Sequence, residues 1–424
     1  MLATVSEPKQ SKGMHYGFVI VIVMILLMIP ASLITSVASI FYSPVAKGLG
    51  ISVAAYGVTQ SIVQFTTAFC APTIFSKLCR TYNIRWILVS CLLVEAVGFS
   101  VRALAQNVWM LYIASALLAF PMSILFAFSI PLLMNQWFPT KTGTMLGIIS
   151  AAQGLGGVIF SSVGSVIIAD YGWRACFWCF AAIALVFVPL AMIFIRATPA
   201  EKGLLPYGIE SNSDNTGDKP KAAPVPTGIS ADKATHTLAF YLILLAMPIS
   251  NGVACMSFFF NSYAQSVGLS IVAAGFVASM LQGGTMFFKL TLGAVCDKSI
   301  RLGAIYYVGS TIISLLLFLS GNSQMALMAA AFLYGGAYSA TNLYGPLLVK
   351  NVFGTKDFTK IWGRVTGAST LIGGIASSLW GFVMQATSYD TCFYIALPLL
   401  VFILIAFMII GAKAKVLKTQ WSAD

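Results

Sequence analysis

Charge is scarce in this chain. Only 8% of its 424 residues are Asp, Glu, Lys or Arg. A soluble domain carries about 25%, so an ordinary water-covered surface is excluded. Acids are the scarcer sign, 12 against 24 Lys and Arg. Histidine is nearly absent, at His15 and His236 only. No acid–histidine or nucleophile–base cluster can be assembled from so few groups, which argues against an enzyme. The 8 cysteines are scattered through apolar runs and form no disulfide framework. One CxxC, Cys176-Phe-Trp-Cys179, lies inside such a run, where small apolar filling outweighs zinc or redox chemistry. No metal or cofactor is expected.

What the chain has is apolar surface: 59% hydrophobic residues and a mean hydropathy of +0.90. Runs long enough to cross a bilayer, about 20 residues, recur at 17–42, 54–76, 84–105, 109–134, 143–169, 173–195, 238–263, 271–295, 302–320, 324–349, 362–386 and 390–411. The first is too long for a signal-peptide core and reads as a retained helix. The stretch from Arg196 to Thr235 is too polar and proline-rich to span. The expectation is an all-α membrane protein with twelve transmembrane helices in two six-helix bundles. Residues 1–196 form one bundle, 197–235 a cytoplasmic linker, and 236–424 the other.

The net charge of +12 does not point to nucleic acid, because the basic residues fall between apolar runs. They set orientation instead. With both termini inside, 20 of the 24 Lys and Arg are cytoplasmic, while Lys47, Arg102 and Arg174 lie outside. Lys289 is the remaining one. The localisation expected is a multi-pass protein of a bacterial or archaeal inner membrane, monomeric in the lipid bilayer.

The halves repeat. Gly50 to Gly57 matches Gly268 to Gly275 at an offset of 218, and Phe138 to Lys141 matches Phe353 to Lys356 at 215. Gly156-Gly157 matches Gly373-Gly374 at 217, and Cys176-Phe177 matches Cys392-Phe393 at 216. Six helices per half keep the orientation, so the repeat is parallel, about a pseudo-two-fold axis along the membrane normal.

Lys289 lies within the apolar stretch from Gly268 to Val295. A charge there costs roughly 2.5–3.5 kcal/mol on insertion scales, and such residues mark substrate or ion paths. A fixed cation points to an anion. The alternative is snorkelling to an interface about seven residues away. The repeat puts Ala71 opposite it, so the charge belongs to one half only. Glu95 is the only acid deep in an apolar run. It is either a coupling residue for protons or a neutral acid with a local polar partner, Arg102 being seven residues on.

Several motifs resemble the major facilitator superfamily. Gly293-Ala-Val-Cys-Asp297-Lys298-Ser-Ile-Arg301 is similar to that superfamily's loop between helices 8 and 9. The first half departs from it: Ser76 to Arg85 has Cys79 for the acid, with Asn83 available as turn residue. The resemblance implies a cytoplasmic gate built from Asp297, Lys298, Arg301, Arg80 and Arg85. Asn135 to Gly157 and Tyr171-Gly-Trp-Arg174 resemble the same superfamily. Within it, Gln282 to Gly293 resembles the oxalate–formate antiporter and monocarboxylate transporter families, where a basic residue four before that Gly binds the carboxylate. Lys289 occupies that place. The second intramembrane Lys of the oxalate antiporter is missing: helix 11 runs Gly367-Ala368-Ser369-Thr370. One cation suits a monoanion.

These resemblances imply a secondary transporter of a small organic monoanion, a monocarboxylate, working by alternating access with protons or a counter-anion. The implied lining is Lys289, Gln282, Thr285, Tyr334, Tyr338, Asn342, Asn251, Phe259, Ser36, Gln64 and Gln153. For any one of these, gluing helices together is as good a reading as touching substrate. A proton-driven exporter of drugs or lipophilic metabolites is the alternative.

Overall fold

A computed structural model describes residues 15–70, 73–74, 76–139, 141–207, 228–321, 323–419 and 421. Ala71, residues 208–227 of the expected linker and the side chain of Arg80 lie outside the described residues. The described chain is helical, with one isolated bridge between Gly228 and Gly354.

The elements are α1 (Tyr16–Thr35), α2 (Tyr42–Leu49), α3 (Val53–Cys70), α4 (Ser76–Thr81), α5 (Ile84–Ala103), α6 (Val108–Ser123), α7 (Ile130–Trp137) and α8 (Thr142–Phe194). After the linker come α9 (Ala231–Thr235), α10 (Leu238–Cys255), α11 (Phe260–Ser266), α12 (Ile271–Lys298), α13 (Ile300–Ser320), α14 (Gln324–Phe353), α15 (Phe358–Ala386) and α16 (Tyr389–Lys418). Short polar residues fix the starts. Asn83, Asn107, Thr237, Ser270 and Ser323 each accept a hydrogen bond from a backbone N–H of the first turn.

Among the described residues, eight helices are long and apolar enough to cross a membrane. The longest, α8, has 53 residues. At 1.5 Å per residue that is about 80 Å, far beyond the ~30 Å of a bilayer core. The helix breaks at Gly172, whose φ of 84° and ψ of 164° suit a residue without Cβ. The break falls between the runs 143–169 and 173–195, so α8 covers both runs. Helices α3 and α14 fall below that hydropathy measure because Gln60 and Gln64, and Tyr338, Thr341 and Asn342, sit among their apolar residues.

The repeat is written into the backbone. Both α1 and α10 contain a proline, Pro30 and Pro248, 218 residues apart. Each is followed by a 3₁₀ turn, Ala38–Phe41 and Met256–Phe259, again 218 apart, and then by a short helix. The turns lie inside the first and seventh apolar runs, and the short helices carry those spans beyond the ends read from hydropathy, to Leu49 and Ser266. Gly50 (φ 64°) and Gly268 (φ 95°) end the short helices in the left-handed region. Ser52 and Ser270 then cap the next helix. Late in each half, Cys176 Sγ reaches Gly164 O at 3.7 Å and Cys392 Sγ reaches Trp380 O at 4.0 Å. Cys176 is buried and Cys179 exposed, so the two sulfurs of the CxxC face different surroundings.

The two ends of the linker dock at corresponding corners. Tyr207 N donates to Trp137 O at the end of α7, and Ile229 N donates to Phe353 O at the end of α14. Asp357, just before α15, accepts from Ala231 N at 2.8 Å and pairs with Lys360 at 3.3 Å. The Ala231 N–H, with Lys360 beside it, holds the Asp357 carboxyl below its ordinary range.

Close helix crossings rest on small residues. A Cβ on Gly284 of α12 would run into the backbone of Phe332 in α14, and one on Gly335 would run into the backbone at Gly284. Gly147 faces open space. Gly284→Ala is expected to lower thermal stability in detergent, at a cost of about 1–3 kcal/mol, while Gly147→Ala leaves the melting temperature unchanged. The linker contact gives a second expectation. Because the folded value of Asp357 is depressed, its stabilising bond is fully present above about pH 4. The bond is lost as the pH falls through the lower folded value. Asp357→Ala should therefore speed hydrogen exchange at the Ala231 amide at pH 7, and the difference from wild type should vanish in strong acid.

Candidate functional site

A cavity of about 270 Å³ lies between α3, α10, α14 and α15, with Met122 of α6 reaching in. Its polar lining is Gln64, Asn251, Tyr338, Thr341, Asn342, Thr366, Ser369 and Thr370. Cys255 is the last residue of α10 and Phe258 lies in the 3₁₀ turn after it, while Trp362 lies near the start of α15. Asn342 and Thr366, toward the linker side, are exposed. Among the described residues, no charged side chain lines the cavity.

Asn251 Nδ2 donates to Ser369 O at 2.7 Å, which leaves its Oδ1 for the cavity. The Thr341 and Thr370 hydroxyls donate to carbonyls of their own helices, so toward a ligand they can only accept. Ser369 Oγ is shielded from solvent and has no partner among the described residues. Tyr338 makes no side-chain hydrogen bond with any described residue. The site therefore offers neutral donors and acceptors beside the rings of Phe258, Trp362 and Tyr338.

On the side away from the termini the cavity is closed. Tyr42 of α2 lies edge-on to Tyr56 at 5.0 Å and to Phe259 at 5.0 Å, and stacks with Phe258 at 6.5 Å. Tyr42 belongs to the first half and Phe258 to the second, so this pair sits where the halves meet. Phe259 also presses on Gly57 and Gly381. Phe259 thus belongs to the plug, and Phe258 is the ring that lines the cavity. Sequence gave no signal to separate two adjacent phenylalanines of a turn.

The structure brings together Gln64, Asn251, Tyr338 and Asn342 of the expected lining. Others serve elsewhere. Tyr334 is fully buried, and its hydroxyl pins α14 to Val253 O at 2.5 Å. Gln282 Nε2 donates to Ser36 O at 3.0 Å and packs over Gly157. Gln153 Nε2 reaches Ser36 Oγ at 3.4 Å. Thr285 donates to Leu281 O and is buried against α14. Trp362, Met122, Thr366 and Ser369 line the cavity and were not picked out from sequence. Trp362 lies at the α15 start, where hydropathy marks only a span boundary.

Lys289 is half-buried, and is not among the residues lining this cavity. Seven residues from Gln282 and four from Thr285, it falls ~20° and ~40° from them around α12. Gln282 faces α1 and Thr285 faces α14, so Lys289 projects between those helices, toward the centre of the molecule. It makes no hydrogen bond or ion pair with any described residue. Glu95 is fully buried on α5, away from the cavity, and neither carboxyl oxygen has a partner among the described residues. Arg102 does not pair with it: Arg102 Nη2 donates to Ser115 Oγ at 3.0 Å and the guanidinium lies over the Phe177 ring at 5.9 Å. Expected at the outer surface, Arg102 is 2% exposed and buried in the bundle.

At the end carrying the linker, Asp297 and Lys298 are exposed, and Asp297 makes no ion pair with any described residue. Arg301 lies against Gly411 of α16. Arg85 packs on Trp86 at 5.5 Å, and Asn83 caps α5 by accepting from Arg85 N at 2.9 Å. This end is open where the opposite end is closed.

Comparisons agree with this architecture. The family model described as Major Facilitator Superfamily matches residues 23–323. An "MFS-type transporter" of Gibberella moniliformis is 24% identical over 329 residues, covering 73% of each chain. "Multidrug resistance protein MdtG" of Enterobacter lignolyticus is 26% identical over 333 residues, covering 77% of each. Among solved structures, the nucleoside transporter NupG superposes with a TM-score of 0.68 at 15% identity, over 94% of this chain and 99% of its own. The inward-facing, unoccupied bacterial homolog of the human lysosomal transporter Spinster gives 0.66 at 14% identity, over 97% and 98%.

Proposed function

The chain belongs to the major facilitator superfamily, and on that footing we propose that it carries a small organic monoanion across a membrane by alternating access. Twelve crossings form two six-helix halves, 1–196 and 236–424, which rock about the cavity. The carried anion moves with a proton or against a second anion. With basic residues on the cytoplasmic side of an inner membrane, the open end faces the cytoplasm.

One observation carries the anion reading. Lys289 projects toward the centre of the molecule and has no acid to neutralise it among the described residues. A bare cation at that depth is costly, and a bound carboxylate offsets the cost. The cavity between α3, α10, α14 and α15, which Lys289 does not line, supplies what one carboxylate does not need: amides, hydroxyls and rings that fit an organic body. The likeness of Gln282 to Gly293 to monocarboxylate carriers supports the same reading, and a single cation favours one carboxylate over two. The repeat duplicates the frame but not the charge, so recognition is one-sided.

The uncharged lining favours a second reading, export of an uncharged or lipophilic compound. Binding by the purified protein separates the two. A panel of short monocarboxylates and their uncharged amides should show carboxylates binding and amides not. Lys289→Ala should weaken carboxylate binding about 10–100-fold, the range for a hydrogen bond to a charged group, while Lys289→Arg retains most of it. Equal affinity of wild type and Lys289→Ala for the same carboxylate overturns the anion reading.

A further inference from the structure

The two seams between the halves carry the same polar contact twice. On one, Ser61 Oγ of α3 lies 2.6 Å from Ser378 Oγ of α15. On the other, Ser162 Oγ of α8 lies 2.7 Å from Ser279 Oγ of α12. The repeat relates Ser61 to Ser279 at an offset of 218, and Ser162 to Ser378 at 216. The two bridges are therefore one contact generated twice around the pseudo-two-fold axis.

Their depth also matches. Ser61 and Ser279 lie eight residues after the first residues of α3 and α12, Val53 and Ile271. Ser378 lies eight before the last residue of α15, Ala386, and Ser162 eight before Asp170, beside the break at Gly172. At 1.5 Å per residue all four are roughly 12 Å below the closed end. They sit between the aromatic plug and the level of Gln64 and Gln282, above the cavity.

The bridges differ from the other hydroxyl contacts of the seam helices. Thr285, Thr370 and Ser377 donate to carbonyls one turn back on their own helices and keep those bonds however the halves move. Ser61–Ser378 and Ser162–Ser279 join one half to the other, so separating the halves breaks them. The two are also unequal. Ser279 Oγ donates to Val158 O at 2.9 Å, so its proton is committed and Ser162 donates the bridging bond. Ser279 thus holds α8 through two bonds. Among the described residues, Ser61 and Ser378 bond only to each other.

We propose that these two serine bridges are paired latches that hold the halves together at the end away from the termini. They set the balance between the state seen here and the state open to the other side. The inference rests on the alternating-access reading above.

Spin labels on exposed Lys47→Cys and Ser266→Cys, in a cysteine-depleted background, report the distance across the closed end in lipid nanodiscs. The wild type should show a dominant short distance and a minor long one. Ser61→Ala should raise the long-to-short ratio about threefold, as for one interhelical bond in a bilayer. Ser378→Ala removes the same bond from the other side and should match it. Ser279→Ala, which loses two bonds, should raise the ratio roughly tenfold. Ser314→Ala loses a bond inside the second half, to Ala330 O, and should leave the ratio unchanged. If the wild type shows two distances but the bridge variants do not move their ratio, or Ser314→Ala moves it equally, the latches are refuted while alternating access stands. A single wild-type distance, unaltered by pH or carboxylate, refutes the alternating-access reading and the latches with it.

Discussion

The absence of water between the lipid tails governs the rest of this structure. In that medium every backbone N–H and C=O must find a partner inside the protein, which leaves helices as the available solution here. It also removes the hydrophobic effect as a force between helices, because lipid is as apolar as leucine. What holds helix to helix is then close approach and side-chain hydrogen bonds. Gly284 against Gly335, Gly157 under Gln282 and Gly373 beside Asn251 serve the first need. Tyr334 on Val253 O, Trp380 on Gly252 O and Ser339 on Thr285 O serve the second.

The same constraint explains which parts were legible in the sequence. Length and hydropathy located the crossings, since a span must be long and apolar whatever it packs against. The turn at Gly172 was legible because a positive φ next to a polar stretch leaves a glycine signature. The 3₁₀ turns that prolong α1 and α10 were not, because Ala38–Phe41 and Met256–Phe259 are as apolar as the helices they join. Polar residues inside spans were found but not sorted. A tyrosine inside a span looks the same in sequence whether its side chain lines a cavity, as that of Tyr338 does, or its hydroxyl meets a carbonyl, as that of Tyr334 does. Only the partner separates them, and for Tyr334 the partner is 81 residues away in the chain.

Gln64 and Gln282 show how a symmetric frame yields a one-sided site. The repeat makes them equivalent at an offset of 218, and each packs across a seam against a glycine of the other half, Gly373 and Gly157. Gln282 spends its amide on Ser36 O and seals its side. Around Gln64 the neighbours are Asn251 and Ser369, and space remains. Ser36 and Ala254 hold corresponding places in the two halves, and the difference between a carbonyl that accepts Gln282 and a wall that leaves Gln64 in the cavity is a difference of one hydrogen bond. Duplication thus supplies rigid, matched seams, while small departures from the duplicate place the chemistry on one side.

Charge follows the same logic of departure. Arg102 is buried, but Ser115 and the Phe177 ring share its load, and it stands behind the plug. Lys289 has neither a hydroxyl nor an acid, and its helix face is set by Gln282 and Thr285, whose bonds to Ser36 and contact with α14 prevent α12 from turning. The lysine is therefore held toward the centre by groups that never touch solute. A cation fixed in this way cannot relieve its exposure to low dielectric by rotating the helix; it can only extend toward the open end or meet an anion that enters from there. On the anion reading proposed above, binding of a carboxylate at Lys289 and closure of the open end would be coupled, because closure removes the water that the bare ammonium relies on. On that reading an empty carrier with a charged Lys289 would resist closure and a loaded one would not, which is the condition for exchange, while a Lys289 that gives up its proton would let the empty carrier close as symport requires.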